Sequence, residues 1–348
     1  MILGIESSCD ECSASVIKGE SAPFEVLSLS TFSQVQLHQP FGGVVPEVAS
    51  RNHLETINLI VDEALKTACV EMKQIDAIAV TNRPGLVGAL LVGVTAAKTL
   101  AYVYNKPLVP VHHLEGHCCS LFLEGSQSQT IKYPLLLAMI SGGHTQLHVV
   151  PTPPEIWAND FMKATLVGRS RDDAAGEAFD KTAKMLGFPY PGGVWIDRES
   201  KNGNPEAFRF PRALPQKDIL DFSFSGLKTA VSLVVQDLQK KKKLKNSIPD
   251  LCASIQEAIV DSLSTKIILA AQKFDCRSIA IVGGVAANSR LRAVLLSKTQ
   301  IPVFSPELKY CTDNAAMIAA AGAVRFFQKK ALGPEQVIKL NAFATAEF

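Results

Sequence analysis

Two stretches of the chain share one pattern of apolar and polar positions. Residues 2–17 (ILGIESSCDECSASVI) read as strand, tight polar turn and strand, and residues 135–150 (LLLAMISGGHTQLHVV) repeat that plan. Each hairpin carries Ser at its tip. Downstream the parallel continues. A helix with a 3.6-residue apolar period at about 47–72 precedes a strand at 75–80, and a helix at about 250–274 precedes a strand at 278–282. Both strands run into a loop and another helix. The pattern predicts an α/β protein of two like domains, 1–130 and 131–348, with a ligand cleft between the halves. A mostly helical insertion at roughly 152–246 enlarges the second half.

A length of 348 residues suits two domains, and 47% hydrophobic content is ample for two cores. The net charge of +2 carries no strong footprint of a nucleic-acid binder, so any such partner must be held by local patches. The run Lys240, Lys241, Lys242, Lys243 with Lys245 is one candidate, read either as a solvated loop or as a phosphate-contacting patch. The N-terminus lacks a signal-peptide core. The longest apolar run, 86–97, is shorter than a membrane span and ends at Lys98. No membrane association and a cytoplasmic location are expected. Eight cysteines are scattered, with close pairs only at Cys9/Cys12 and Cys118/Cys119, and they read as reduced thiols.

The chemistry begins at residues 113–117, HLEGH. Histidines four apart on a helix share a face and can grip one metal ion, or they are ordinary helix residues beside a strand end. A metalloprotease would carry Glu next to the first His as general base. Glu115 follows His113 by two residues, which turns it about 200° away. A third ligand is needed. Asp313, at the start of an Ala-rich helix, reads as an N-cap or as that ligand, since two His and a carboxylate with open positions form a catalytic metal pattern. The hairpin tips suit an anion: turns with Ser and Gly converge backbone N–H groups, and Gly142 and Gly143 would allow close approach. Gly283 and Gly284 open a helix after a strand, where Asn288 could reach a base or ribose, though a plain turn is as good a reading.

Eight motifs together carry a family resemblance: 4–11 GIESSCDE, 42–51 GGVVPEVASR, 113–117 HLEGH, 141–146 SGGHTQ, 172–181 DDAAGEAFDK, 222–229 FSFSGLKT, 283–288 GGVAAN and 311–314 CTDN. In this order, across nearly the whole chain, they resemble the TsaD family of tRNA N6-adenosine threonylcarbamoyltransferases, once described as O-sialoglycoprotein endopeptidases. The resemblance implies a duplicated actin-like fold of the actin, sugar-kinase and Hsp70 superfamily. It implies one divalent ion, iron by resemblance with zinc the other candidate, on His113, His117 and Asp313. It implies adenylate contacts from Met139, Ile140, Ser141, Gly142, Gly143, Asp180, Gly193, Asp197 and Asn288. By spacing alone Asp180 and Asp197 are solvated helix carboxylates, but two carboxylates also suit a ribose diol.

The implied reaction moves the threonylcarbamoyl group from threonylcarbamoyl-AMP to N6 of the adenosine 3′ of the anticodon, in tRNAs reading codons that begin with adenine. Asp10 and Glu11, at the first tip, are candidates to accept the N6 proton or orient a water; otherwise they are a turn-favouring acidic pair. Implied partners are tRNA, a homologous non-catalytic TsaB-like subunit, a small TsaE-like ATPase and a separate enzyme that makes the adenylate. Residues 47–72 offer a docking face, although core packing accounts for most of their apolar positions. The chain departs from the family at Cys12, where Thr is common, and at Val194 and Trp195, which replace a Pro-containing pair. Three rivals remain: an endopeptidase, a small-molecule kinase and a nucleotide-gated scaffold.

Overall fold

The computed structural model describes residues 1–125, 130–153 and 164–345. In chain order, β1 (Ile2–Glu6), β2 (Glu11–Lys18), β3 (Glu25–Ser33), α1 (Val35–His38), α2 (Pro46–Thr67), β4 (Ala77–Arg83), α3 (Val87–Val103), β5 (Leu108–His112) and α4 (His113–Cys119) form the first series. The second runs β6 (Leu135–Ile140), β7 (Thr145–Val150), β8 (Thr165–Arg169), α5 (Ala175–Met185), α6 (Gly192–Glu199), α7 (Ser225–Lys240), α8 (Ile248–Lys273), β9 (Ser278–Val282), α9 (Ser289–Lys298) and β10 (Val303–Phe304). Helices α10 (Ala315–Phe327) and α11 (Pro334–Lys339) close the chain.

The predicted duplication is visible in the sheets. One has the order β3-β2-β1-β4-β5, the other β10-β9-β6-β7-β8. In both, the hairpin strands pair antiparallel while the two later strands add in parallel beside the first. Strand β8 therefore matches β3 and belongs to the repeat. The insertion expected from 152 thus begins only after Arg169, and its regular structure is the helices α5, α6 and α7; residues 154–163 of the expected insertion lie outside the described residues.

The chain divides into two compact units: of the described residues, 131–152 and 164–305 form the second and the rest the first. Residues 306–345, expected in the second domain, cluster with the first unit. Small side chains explain the return. A Cβ on Gly4 of β1 would lie 2.3 Å from the Ala315 carbonyl oxygen and 2.7 Å from the Ala319 nitrogen. A Cβ on Gly322 would lie 2.2 Å from Ala79 Cβ on β4. The Ala-rich helix α10 thus lies flush on β1 and β4, at a separation only glycine and alanine allow.

Helix α2 ends at Thr67, five residues before its expected end, because Cys69 turns into the left-handed region with φ 55°. Its apolar stripe (Ile57, Ile60, Val61, Ala64) packs into the core with Met72 and Ile75, and Leu54 and Leu59 remain exposed. The strand expected at 75–80 is β4, shifted toward its C-terminus.

Candidate active site

Helix α4 starts where its N-cap, His112, accepts the Leu114 N–H through Nδ1 at 3.2 Å. That start makes His113 the first helical residue and puts His117 one turn later on the same face. Both rings are buried, with centroids 4.7 Å apart. Asp313 meets them from its position two residues before α10: Oδ1 lies 3.4 Å from His113 Nε2 and 3.1 Å from His117 Nε2. The expected triad is therefore assembled, but inside one unit. Asp313 falls within 131–348, expected as the second domain, but belongs to the first unit because α10 returns to the first sheet.

Asp313 is not the N-cap of its helix. Asn314 takes that role, its Oδ1 accepting the Met317 N–H at 3.0 Å while Nδ2 donates to the Thr312 carbonyl at 2.8 Å. The Asp313 carboxylate is left to the histidines. Burial opposes its ionisation, yet the His113 charge and both imidazoles hold it well below the usual carboxylate range.

A residue given no role at the sequence level orients the first histidine. Glu6, the buried last residue of β1, lies 3.1 Å through Oε2 from His113 Nδ1. It also accepts from Thr81 Oγ1 at 2.6 Å and, through Oε1, from the Ser8 N–H at 2.5 Å. With Nδ1–H assigned to this carboxylate, His113 turns Nε2 toward Asp313. Burial works against both charges, but each favours the other: Glu6 is held below its usual range, and Asp313 and Glu6 hold His113 well above its own. Glu6 lies within the motif GIESSCDE, and a carboxylate ending a strand beside a His pair was the available signal.

These residues fit a metal ion. The three donor atoms lie within 4.8 Å of one another. Two donors each about 2.0–2.1 Å from one tetrahedral ion sit roughly 3.3–3.4 Å apart, close to the 3.4 and 3.1 Å measured to Asp313. Among the described residues neither nitrogen of His117 has a hydrogen-bond partner, although Nε2 is buried beside Asp313. Close approach without hydrogen-bond alignment is the geometry of atoms aimed at a shared ion. Two imidazoles and a carboxylate are a donor set for zinc or ferrous iron.

Asp10 and Glu11 lie in the same unit. Asp10 is buried, with Oδ2 unpartnered among the described residues, and Glu11 is the first residue of β2 rather than part of the turn. Burial first, then the charges of Asp10 and Asp313, push the Glu11 carboxyl well above its usual range. It keeps its proton to unusually high pH, the state of a hydrogen-bond donor rather than a base. Cys12 is buried and its thiol is pushed up to about 11 by burial, so it is poor in thiolate and shielded from oxidation.

The second unit holds the expected adenylate residues. Ser141 closes the β6–β7 turn, its N–H donating to the His144 carbonyl at 2.8 Å and its Oγ accepting the His144 N–H at 3.2 Å. Gly142 and Gly143 are exposed, and a Cβ on either would meet nothing within 4 Å. The protein's own packing does not require these glycines, which leaves the tip open to an approaching ligand. The side chains of Met139 and Ile140 are buried in β6, so only their backbone could reach one. Gly283 does require glycine: φ is +91° and a Cβ would sit 2.5 Å from the Ile140 carbonyl oxygen.

Asp180 and Asp197, which the resemblance assigns to the adenylate and spacing alone to solvated faces, have structural partners. Asp180 on α5 accepts the Gly192 N–H at 2.7 Å, fixing the start of α6 beside Gly193. Asp197 on α6 accepts from the Ser289 N–H at 3.2 Å and Oγ at 2.8 Å. Asn288 caps α9, accepting the Leu291 N–H at 2.9 Å, and donates to Gln256 Oε1 at 2.7 Å. Gln256 in turn donates to Ser200 Oγ at 2.7 Å. These bonds bring Asp197 and Asn288 to the start of α9 and place Asp180 and Gly193 at the start of α6. Gln256 and Ser289 were not foreseen, since nothing in a helix interior or a helix start singles them out. Lys240 ends α7, and Lys241 pairs with Asp237 at 2.7 Å; the lysine run is exposed at a helix C-terminus, where cations are favoured.

Comparison with known proteins adds a family to this geometry. Residues 25–320 match the family model of TsaD, tRNA N6-adenosine threonylcarbamoyltransferase. A relative of that name from Listeria monocytogenes serotype 4b (strain CLIP80459) is 48% identical over 338 residues, 96% of this chain and 93% of its own. Another of that name, from Anaeromyxobacter dehalogenans (strain 2CP-C), is 48% identical over 345 residues, 96% of each chain. Among solved structures, component A of (R)-2-hydroxyglutaryl-CoA dehydratase from Acidaminococcus fermentans aligns with a TM-score of 0.54 at 13% identity, over 97% of this chain and 98% of its own. That likeness shows the shared actin-like fold.

Proposed function

Because the chain belongs to the TsaD family of tRNA N6-adenosine threonylcarbamoyltransferases, we propose that it transfers the threonylcarbamoyl group of threonylcarbamoyl-AMP to N6 of the adenosine 3′ of the anticodon. The tRNAs are those reading codons that begin with adenine, and the products are threonylcarbamoyladenosine and AMP. The observation that carries the reading is the convergence of His113, His117 and Asp313 in a chain with full-length family identity.

In this reaction the N6–carbamoyl bond forms, the bond to the phosphate oxygen breaks, and one N6 proton leaves. AMP is a good leaving group and adenine N6 a poor nucleophile, so positioning and charge stabilisation carry most of the acceleration. The N–H groups of the exposed residues Gly142 and Gly143 suit the phosphate. Asp180 and Asp197, already fixed by Gly192 and Ser289, suit the ribose hydroxyls, since a carboxylate accepts several hydrogen bonds at once. Asn288, held by Gln256, suits the nucleoside. An iron or zinc ion on His113 Nε2, His117 Nε2 and Asp313 would supply positive charge to hold ligand oxygens and polarise the acyl centre. Glu6 keeps the His113 tautomer that this requires. Glu11, whose burial favours the protonated form, suits a hydrogen bond to a developing oxyanion, and Asp10 is the candidate to accept the N6 proton.

The partners in this reading are tRNA, the TsaB-like subunit, the TsaE-like ATPase and the adenylate-making enzyme, in the cytoplasm. No helix among the described residues is long and apolar enough to cross a membrane. Peptide hydrolysis loses its remaining support, because the Glu115 carboxylate is buried and bonded to Arg325 Nε at 2.7 and 2.9 Å. The test supplies threonylcarbamoyl-AMP, unmodified tRNA and the partner subunits, and measures threonylcarbamoyladenosine by mass spectrometry with and without chelator. Product that is lost on chelation is expected; no product rejects the transferase, and product indifferent to chelation rejects the metal.

A further inference from the structure

We infer that Glu115 is a positioning residue for the metal triad, locking α4 onto α10 so that the two histidines meet Asp313; this rests on the metal reading above. Helix α4 spans seven residues, too short to hold its own shape. Glu115 is its third residue, and its carboxylate is buried. His112 Nδ1, accepting from the Leu114 N–H, fixes the first turn, where His113 stands. The same carboxylate binds Arg325 on α10.

The neighbouring residue completes the lock. A Cβ on Gly116 would lie 2.5 Å from Ile318 Cδ1 and 3.2 Å from Met317 Cγ, so glycine seats α4 directly on the first turn of α10. Asp313 precedes that turn by two residues. Seat and clamp therefore join the helix bearing His113 and His117 to the helix that carries Asp313 at its head. The Glu that is misplaced for a protease is placed for this.

The full-length protein, stripped of metal, is titrated with Co2+, following the dissociation constant and the visible absorption band. Glu115→Gln keeps the volume and an acceptor oxygen but removes the charge. It is expected to weaken Co2+ binding about tenfold or more and to alter the band, with Arg325→Lys intermediate. Ile57→Val, a core change on α2, is the control: it lowers the unfolding temperature and leaves Co2+ binding unchanged. Wild-type affinity and spectrum in Glu115→Gln would overturn the inference, as would equal weakening by Ile57→Val. Should Glu115→Gln fail to fold, Arg325→Gln gives the same reading. Absence of Co2+ binding in the wild type would instead sink the metal reading, and this inference with it.

Discussion

Replacing Glu6 by Gln tests whether the site is built for an ion, because it alters one atom and forces a choice among three donors. Glu6 accepts from the Ser8 N–H on one oxygen, and from the Thr81 hydroxyl and His113 Nδ1 on the other. Glutamine has one acceptor oxygen. If that oxygen stays with Ser8, the new amide donors face Thr81 and His113. Thr81 can rotate to accept, but the amide N–H and the Ser8 hydroxyl, 3.1 Å from His113 Nδ1, then both favour an Nδ1 that accepts, which puts the proton on Nε2, the atom that faces Asp313. A protonated Nε2 cannot ligate. If the amide flips to restore the tautomer, the buried Ser8 N–H loses its partner, at a cost of about 1–3 kcal/mol. Metal binding must bear that cost, so the dissociation constant should rise roughly 5- to 150-fold, the range in which loss of such supporting carboxylates falls. Calorimetric titration of metal-free protein with Zn2+ or Co2+ measures it, and nitrogen-15 chemical shifts of the imidazole report the tautomer. An affinity within twofold of wild type would refute the tautomer argument.

Asn314→Ala removes the α10 cap and the tie to the Thr312 carbonyl; a loss of about 1–2 kcal/mol in urea unfolding is expected, and no loss would mean that Asp313 takes over the cap. The raised His113 pKa implies that the metal-free protein carries imidazolium at neutral pH. Its contribution to stability is complete below the unfolded value of about 6.5 and is lost as pH rises through the folded value. Ion binding must expel that proton, so affinity should climb with pH until His113 is neutral and then level off. Calorimetry in buffers of different ionisation heat should detect about one proton released, and none would contradict the assignment. Gly4→Ala drives a methyl into the α10 backbone and should cost at least about 1–3 kcal/mol in thermal unfolding; a neutral effect would show that α10 does not need the flush seat. Neutralising Lys240, Lys242 and Lys243 should flatten the salt dependence of tRNA binding by roughly 0.7–0.9 in log–log slope for each tRNA phosphate no longer neutralised, whereas an unchanged slope leaves the run a solvated helix end.

The duplicated sheets were legible because a hairpin followed by a helix and a parallel strand is written in local periodicity. Strand β8 was not. Its residues, TLVGR, alternate too briefly to announce a strand, and only the match to β3 across the repeat would have claimed them. The C-terminal boundary failed for a different reason. Where residues 306–345 pack is decided by the seam of Gly4, Ala79, Ala315, Ala319 and Gly322, whose members are far apart in the chain. An Ala-rich helix reports that something comes close, and does not say what.

The same distinction separates the two halves of the metal site. His113 and His117 declare themselves by spacing within one helix. Asp313 could be named only as a candidate, since an Asp before a helix is an ordinary cap, and Glu6 carried no signal beyond its place in the motif GIESSCDE. The deciding residue was Asn314, one position later. A helix start needs one side-chain acceptor, and because Asn314 supplies it, a second acceptor at Asp313 is surplus to the helix. In a buried setting a surplus carboxylate is costly unless charge meets it, and the charge that meets it is His113, held by Glu6 from the other side. An adjacent Asp-Asn pair at a helix start is thus a stronger sign of a ligand than the Asp alone. By that logic Asn314→Asp keeps the cap acceptor but exchanges the Nδ2 bonds to the Tyr310 and Thr312 carbonyls for a second carboxylate beside the first, so one part of its cost is the same with and without Zn2+ while the charge part falls on the metal-free state; a destabilisation that Zn2+ does not reduce at all would show that Asp313 is held by the fold and not by an ion.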